Sequence, residues 1–498
     1  MVTILCEILM NMKKILSLLL SAYSLFTLAQ SDMELASQTV DQNLIKSHIG
    51  FLASDELKGR DTPSEGLKIA AKYIESRFVE YGVQKAPGMD SYFQSVPMKV
   101  IKPRKVGIVK VGKTELELNK DLVVIEGDKS IFDQPFYYAE YGLPDQLNEE
   151  DVKDKIVFAL CGDGESQSPQ EWFTLSEAKK AKVKELGGLA LVELYSSTQL
   201  PWNFLVRYLS RERVAIDEGD EEGGITHIWL NRSADDASFL NSDKPASIVI
   251  GETENKKFTS QNVVGFVEGS DEKLKKEIIV YSAHYDHVGI GQANAEGDSI
   301  YNGSRDNAVG TVTVLTAAQN LAKNPTKRSG LFVLFAGEEK GLLGSKYFVD
   351  NPPVPLDDIV YCFNSDNGGY NDTSKATIIG LTRTTAQEMI VEACKAFGLE
   401  AIEDPAPEQG LFDRSDNVRF ASKGIPAPTF SMGFTAFDDE INKYYHQAAD
   451  NPNTLDYAYL EKFFRSYVYA CRMIGNAKKA PFWVKGDKYY DVGKTLYK

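Results

Sequence analysis

Three apolar, β-rich runs in the second half of the chain constrain the fold most, because each ends in a group that can carry chemistry. EIIVYSA (277–283) runs into His284-Tyr285-Asp286. GLFVLF (330–335) runs into Ala336-Gly337-Glu338-Glu339, and DIVYCF (358–363) into Asn364-Ser365-Asp366. Residues 427–431 offer a fourth run. Continuous apolar strands separated by helical segments imply a mostly parallel sheet covered on both faces, an α/β architecture. Between the first two runs, Asp306–Lys323 reads as a helix, with Asp306 and Asn307 suited to its N-cap. Ligands of open α/β sheets bind just beyond the carboxyl ends of the strands. The sequence therefore collects His284, Asp286, Glu338, Glu339 and Asp366 at one sheet edge. Asp306 lies in Asn302–Asn307, and His446 in Tyr444-Tyr445-His446-Gln447 with Asp450 four residues on.

Composition sharpens this reading. The chain has 498 residues and a formal net charge of −16, which argues against nucleic acid or anionic membrane as partner, since phosphate binding needs a basic face. It has only five histidines, so two of them among gathered carboxylates carry weight. Imidazoles and carboxylates without a thiolate suit zinc or a similar divalent ion. Collected acids repel one another unless dications offset them, and two such ions can lower the pKa of a shared water. Glu338 and Glu339 leave a strand in different directions, so one can ligate while the other takes a proton.

The pieces AHYDHVG (283–289), GSRDNAVG (303–310), AGEEKGLLGS (336–345), NSD (364–366), RSD (414–416) and YHQAAD (445–450) stand in family order. With LASDELKGRDTPSEG (52–66), the stretch 262–450 resembles the co-catalytic dizinc aminopeptidase and glutamate-carboxypeptidase family of metallopeptidases. The resemblance implies a zinc aminopeptidase-like (phosphorylase/hydrolase-like) fold and two Zn2+ per chain, with Co2+ or Mn2+ as substitutes. It implies that His284, Asp306 and Asp366 hold one zinc and that Asp306, Glu339 and His446 hold the other. Glu338 is the implied general base, Asp286 orients His284, Tyr445 assists the oxyanion, and Arg414 binds a polar end of the substrate. The implied reaction is hydrolysis of the N-terminal peptide bond of a peptide substrate through a metal-bridging hydroxide. Carboxypeptidase or dipeptidase activity on the same scaffold is the alternative; an inactive receptor-like protein or a glutaminyl cyclase relative is more remote. Two departures, Asn367 and Asn417 in place of the family's usual methionine and histidine, are expected to shape the pocket and its specificity. The other histidines read as bystanders: His48 in helix packing, His227 without a ligand-spaced partner, and His287 pointing away from the site.

The rest of the chain organises around this unit. Lys13-Lys14, the apolar run 15–28 and Thr27-Leu28-Ala29 read as a signal peptide over 1–29, whether synthesis starts at Met1 or Met12. Export to the periplasm or beyond follows, with no stable membrane insertion after its removal. Residues 30–105 read as the N-terminal part of the peptidase domain, with a helix over 64–81 and a loop over 83–105. From 106 to 255 the texture changes to short strands around a Lys/Glu-rich helix at 176–186. DVKDKIV (151–157) and KELGG (184–188) in this insert resemble a protease-associated domain, β-rich and without an obvious catalytic set. Residues 256–498 complete the peptidase domain. Cys161, Cys362, Cys394 and Cys471 lack metal-binding spacing and read as either buried hydrophobes or one or two disulfides.

Overall fold

The computed structural model describes residues 30–165, 169–219 and 224–497. The expected signal segment 1–29 and part of the acidic loop 217–222 lie outside the described residues. The chain divides into two compact units, one formed by 1–95 with 261–498 and the other by 96–260.

The first unit is built on a mixed sheet. Its strands are β1 (Asn255–Val267), β2 (Ile278–His284), β3 (Ser329–Phe335), β4 (Ile359–Ser365), β5 (Lys375–Ile379), β6 (Glu400–Glu403) and β7 (Thr429–Met432), in the order β1-β3-β2-β4-β7-β5-β6. β2 runs parallel to β3 on one side and β4 on the other, with His284 level with Phe335 and Ser282 level with Asn364. β1 against β3 and β5 against β7 are antiparallel. The alternation of strand side chains explains the continuous apolar runs. Ile279, Tyr281 and Ala283 enter one core, while Ile278 and Val280 enter a second core on the opposite face. Neither face of β2 meets water, so no position in it can be polar without a partner.

The larger core is closed by α1 (Gln42–Leu52), α2 (Glu65–Tyr81), α3 (Gly310–Lys323), α5 (Gln387–Ala396) and α7 (Tyr457–Asn476). The smaller one is closed by α4 (Leu343–Asp350) and α6 (Asn417–Ser422). α2 follows the expected signals: Ser64 accepts from the Leu67 amide at its start, and Gly82 ends it in the left-handed region. The third helical segment departs from expectation. Ser304–Val309 forms a wide turn in which Asp306 (φ −111°, ψ 95°) and Asn307 are not helical, and the regular helix begins only at Gly310. Asp306 is therefore not the N-cap; Asn307 takes that work, its Oδ1 accepting from the Gly310 amide at 3.0 Å. Freed from capping, the Asp306 carboxylate can point out of the sheet edge. A Cβ on Gly310 would lie 2.2 Å from Asn307 Oδ1 and 2.4 Å from the Ser365 carbonyl, so only glycine allows this seat against β4.

The second unit has two sheets of its own. One orders the strands Leu122–Glu126, Thr226–Asn231, Ala190–Tyr195, Ile156–Leu160 and Phe136–Tyr138; the other orders Thr114–Glu117, Gly107–Val111, Ala246–Ile250 and Ile131–Gln134. This unit begins at Val96, earlier than the change in texture at 106 suggests, and Phe93–Ile101 is not the expected loop but a strand, paired antiparallel with Arg213–Ile216. Pro97 inside it reads as punctuation, but it lies just beyond the pairing with Arg213–Ile216, which ends at Met98, and its carbonyl accepts from the Asp217 amide. His227 is buried here and bonds Glu193 at 2.8 Å, in a closed network with Lys179, Ser176 and Trp229. Cys161, Cys362, Cys394 and Cys471 are all buried and unpaired, so the hydrophobe reading holds and the disulfide reading does not.

Candidate metal centre

Four loops leave the sheet edge and converge. His284 ends β2, Asp306 sits in the turn before α3, Glu338 and Glu339 follow β3, and Asp366 follows β4. His446 arrives from the segment before α7, in a left-handed conformation (φ 53°) that turns its ring back to the site. The geometry divides cleanly about Asp306. His284 Nε2 lies 3.3 Å from Asp306 Oδ1 and 3.2 Å from Asp366 Oδ1. His446 Nε2 lies 3.0 Å from Asp306 Oδ2 and 3.2 Å from Glu339 Oε1. The two oxygens of one carboxylate thus face two separate donor triads.

These donors fit divalent metal. Zinc bound tetrahedrally at about 2.0–2.2 Å places neighbouring ligand atoms about 3.3 Å apart, as found in both triads. The charges point the same way. Burial works against charge on His446, but hydrogen bonds and charges from Asp306 and Glu339 outweigh it and lift the imidazolium to about 10. Burial and Asp306 push Glu339 up, yet hydrogen bonds from His287 and His446 hold it down at about 2. Without a metal, the acids hold protons on the imidazoles; a dication would replace those protons.

Glu338 differs from its neighbour. Burial pushes its carboxyl well up, and Asp366, Glu339 and Asp416 add to this against the pull of His284. Its backbone amide donates to Asp286 Oδ1 at 3.1 Å. Asp286 therefore fixes the Glu338 loop, while the His284 Nδ1 faces the Asp286 carbonyl at 3.2 Å and its carboxylate only at 3.7 Å. Burial keeps the Tyr445 hydroxyl protonated, and its ring stacks on His446 at 4.2 Å. Arg414 is exposed at the rim, with Nη2 3.4 Å from the Tyr445 hydroxyl.

Beside the donors lies a pocket walled by Ile379, Leu411, Phe434, Phe437 and Ile441. Asn367 and Asn417, expected to shape this pocket, do not line it. Both are turned inward to satisfy buried groups. Asn367 bonds Asn307 Oδ1 and the Met432 amide, and Asn417 donates to the carbonyls of Phe412 and Ala427. Two residues were missed by the sequence reading. The buried guanidinium of Arg60 donates to the carbonyls of Tyr285, Asn302 and Gly303, tying the His284 loop to the Asp306 loop. His287 does not point away: its Nδ1 lies 2.9 Å from Glu339 Oε1. Its position directly after Asp286, in a turn, gave no periodicity from which its direction could be read.

Residues 262–470 match peptidase family M28. That segment, about two fifths of the chain, is what ties it to the M28 metallopeptidases. The match runs from within β1 to within α7 and includes every residue of the two donor triads, in agreement with the resemblance to metallopeptidases with co-catalytic zinc. Aminopeptidase YwaD of Bacillus subtilis is 26% identical over 320 residues, 64% of this chain and 61% of that protein. A protein described as a probable leucine aminopeptidase of Arthroderma otae is 28% identical over 187 residues, 34% of this chain and 47% of its own length. The chain thus spans about three fifths and about half of these relatives. Among solved structures, an aminopeptidase from Aneurinibacillus sp. strain AM-1 aligns over 89% of this chain and 96% of its own, with 18% identity and a TM-score of 0.52. That likeness supports the fold. Among the described residues, no helix is long and apolar enough to cross a membrane.

Proposed function

We propose that this chain is an exported dizinc aminopeptidase that hydrolyses the N-terminal peptide bond of its substrate. The observation that carries the reading is the divided carboxylate of Asp306, one oxygen on each triad. His284, Asp306 and Asp366 would hold one zinc, and Asp306, Glu339 and His446 the other. When bound, such ions acidify water and polarise a carbonyl.

The chain's own groups supply the rest. Glu338, kept avid for protons by burial, accepts the proton of the attacking water and returns it to the leaving amine. Asp286 holds the Glu338 backbone so that this carboxylate stays aimed. The Tyr445 hydroxyl donates to the oxygen on which charge develops. The apolar walls of Ile379, Leu411, Phe434 and Phe437 take an aliphatic or aromatic side chain. Asp306, Glu338, Glu339 and Asp366 around the same pocket favour a free α-ammonium over a carboxylate. YwaD and the Arthroderma protein carry aminopeptidase names, which agrees. The insert is read as a protease-associated domain without a catalytic set of its own.

A second reading rests on Arg414, an arginine on the pocket rim that suits a C-terminal carboxylate. Peptides with an apolar first residue, blocked at one end or the other, separate the two. An aminopeptidase cleaves C-amidated peptides and spares N-acetylated ones. Hydrolysis of the N-acetylated set at undiminished rate would overturn the assignment in favour of a carboxypeptidase.

A further inference from the structure

His287 is a sixth side chain at a centre whose five donors are otherwise accounted for. It is wholly buried. Its amide donates to the Arg60 carbonyl, and its ring packs so closely on Gly303 that a Cβ there would fall 2.5 Å from Cγ. The ring therefore has one seat, crossed edge-on to the His446 ring at 5.4 Å. From that seat Nδ1 faces Glu339 Oε1 at 2.9 Å and Asp306 Oδ2 at 3.8 Å. Nε2 is buried with no hydrogen-bond partner.

Two roles are open to such a ring. As a metal ligand through Nδ1, it must carry its proton on Nε2, where nothing accepts it. Ligating histidines ordinarily hand that proton to a carbonyl or carboxylate, as His284 does with the Asp286 carbonyl. As a donor through Nδ1–H, it makes its short contact with a carboxylate attractive and leaves only a lone pair on Nε2. Resting on the metal reading above, we propose that His287 is a positioning residue. It donates Nδ1–H to Glu339 and presets that carboxylate for the metal it shares with His446 and Asp306, without itself ligating.

The test uses the full-length, zinc-loaded protein labelled with 15N-histidine. Two-bond proton–nitrogen correlations should show the His287 ring protonated on Nδ1, in contrast to the metal-bound nitrogens of His284 and His446. A proton on Nε2 with a metal-shifted Nδ1 would overturn the proposal by making His287 a ligand. Failure of any histidine nitrogen to respond to zinc would instead sink the metal reading itself. Zinc affinity by chelator competition gives an independent readout. H287A should weaken one site by about 10–100-fold. H287N, whose amide N–H can replace Nδ1–H, should restore most of it. H287A with unchanged affinity, or H287N as weak as H287A, would contradict the positioning role.

Discussion

At the scale of single residues, the centre works by giving like side chains unlike surroundings. Glu338 and Glu339 are neighbours in sequence, yet Glu339 is paired with two imidazoles and held ionised, whereas Glu338 is desolvated among other acids and holds protons. That separation of proton affinities is what a base beside a ligand requires. E338Q is isosteric and leaves both donor triads intact. It should fold and keep its metal but lose about 10²–10⁴-fold in kcat, the usual worth of general base catalysis. Stopped-flow or steady-state assay against metal content checks this; turnover near wild type in E338Q would place the base elsewhere. Which residues take part was legible from residue type at strand ends. Their exact partners were not. Asp286, expected to orient His284, faces that ring with its carbonyl at 3.2 Å and its carboxylate at 3.7 Å, and it also accepts from the Glu338 amide, a contact that spacing does not encode.

At the scale of elements, periodicity was informative wherever one chain segment decides its own burial. α2 and the strands β2, β3 and β4 follow their apolar patterns to within a residue or two, since both faces of the sheet are covered and every position is tested by packing. The turn at Ser304–Val309 escaped the pattern, because Asp306 and Asn307 exchange roles through a contact with β4 that is distant in sequence. The helices near the N-terminus carry a separate consequence. His48 on α1 is buried, with Nδ1 at 2.7 Å from the Tyr73 hydroxyl and Nε2 at 3.0 Å from that of Tyr81. Burial, aided by the charge of Arg77, lowers it from 6.5 to about 4. The unfolded chain therefore takes up a proton near pH 6.5 that the folded chain refuses until about pH 4. Stability from this group is full above pH 6.5 and falls as the pH drops through that window, by about 3 kcal/mol at its lower end. Thermal unfolding between pH 4 and pH 8 should show this slope and H48Q should flatten it; an identical slope in H48Q would refute the assignment.

At the scale of the whole molecule, the two units divide structure from chemistry. All predicted site residues lie in the unit made of 1–95 and 261–498, and the insert has its own sheets and its own buried charge network. Most of the 71 acidic residues have no special role, but the acids at the sheet edge have one if two dications sit among them. The central claim is that Asp306 joins two metal sites into one centre. Metal analysis of the purified chain and of D306A tests it most directly. The wild-type chain should carry close to two zinc ions and D306A should lose both, because each triad loses an oxygen. A single zinc ion per fully active wild-type chain, or a D306A variant that keeps its metal, would contradict it.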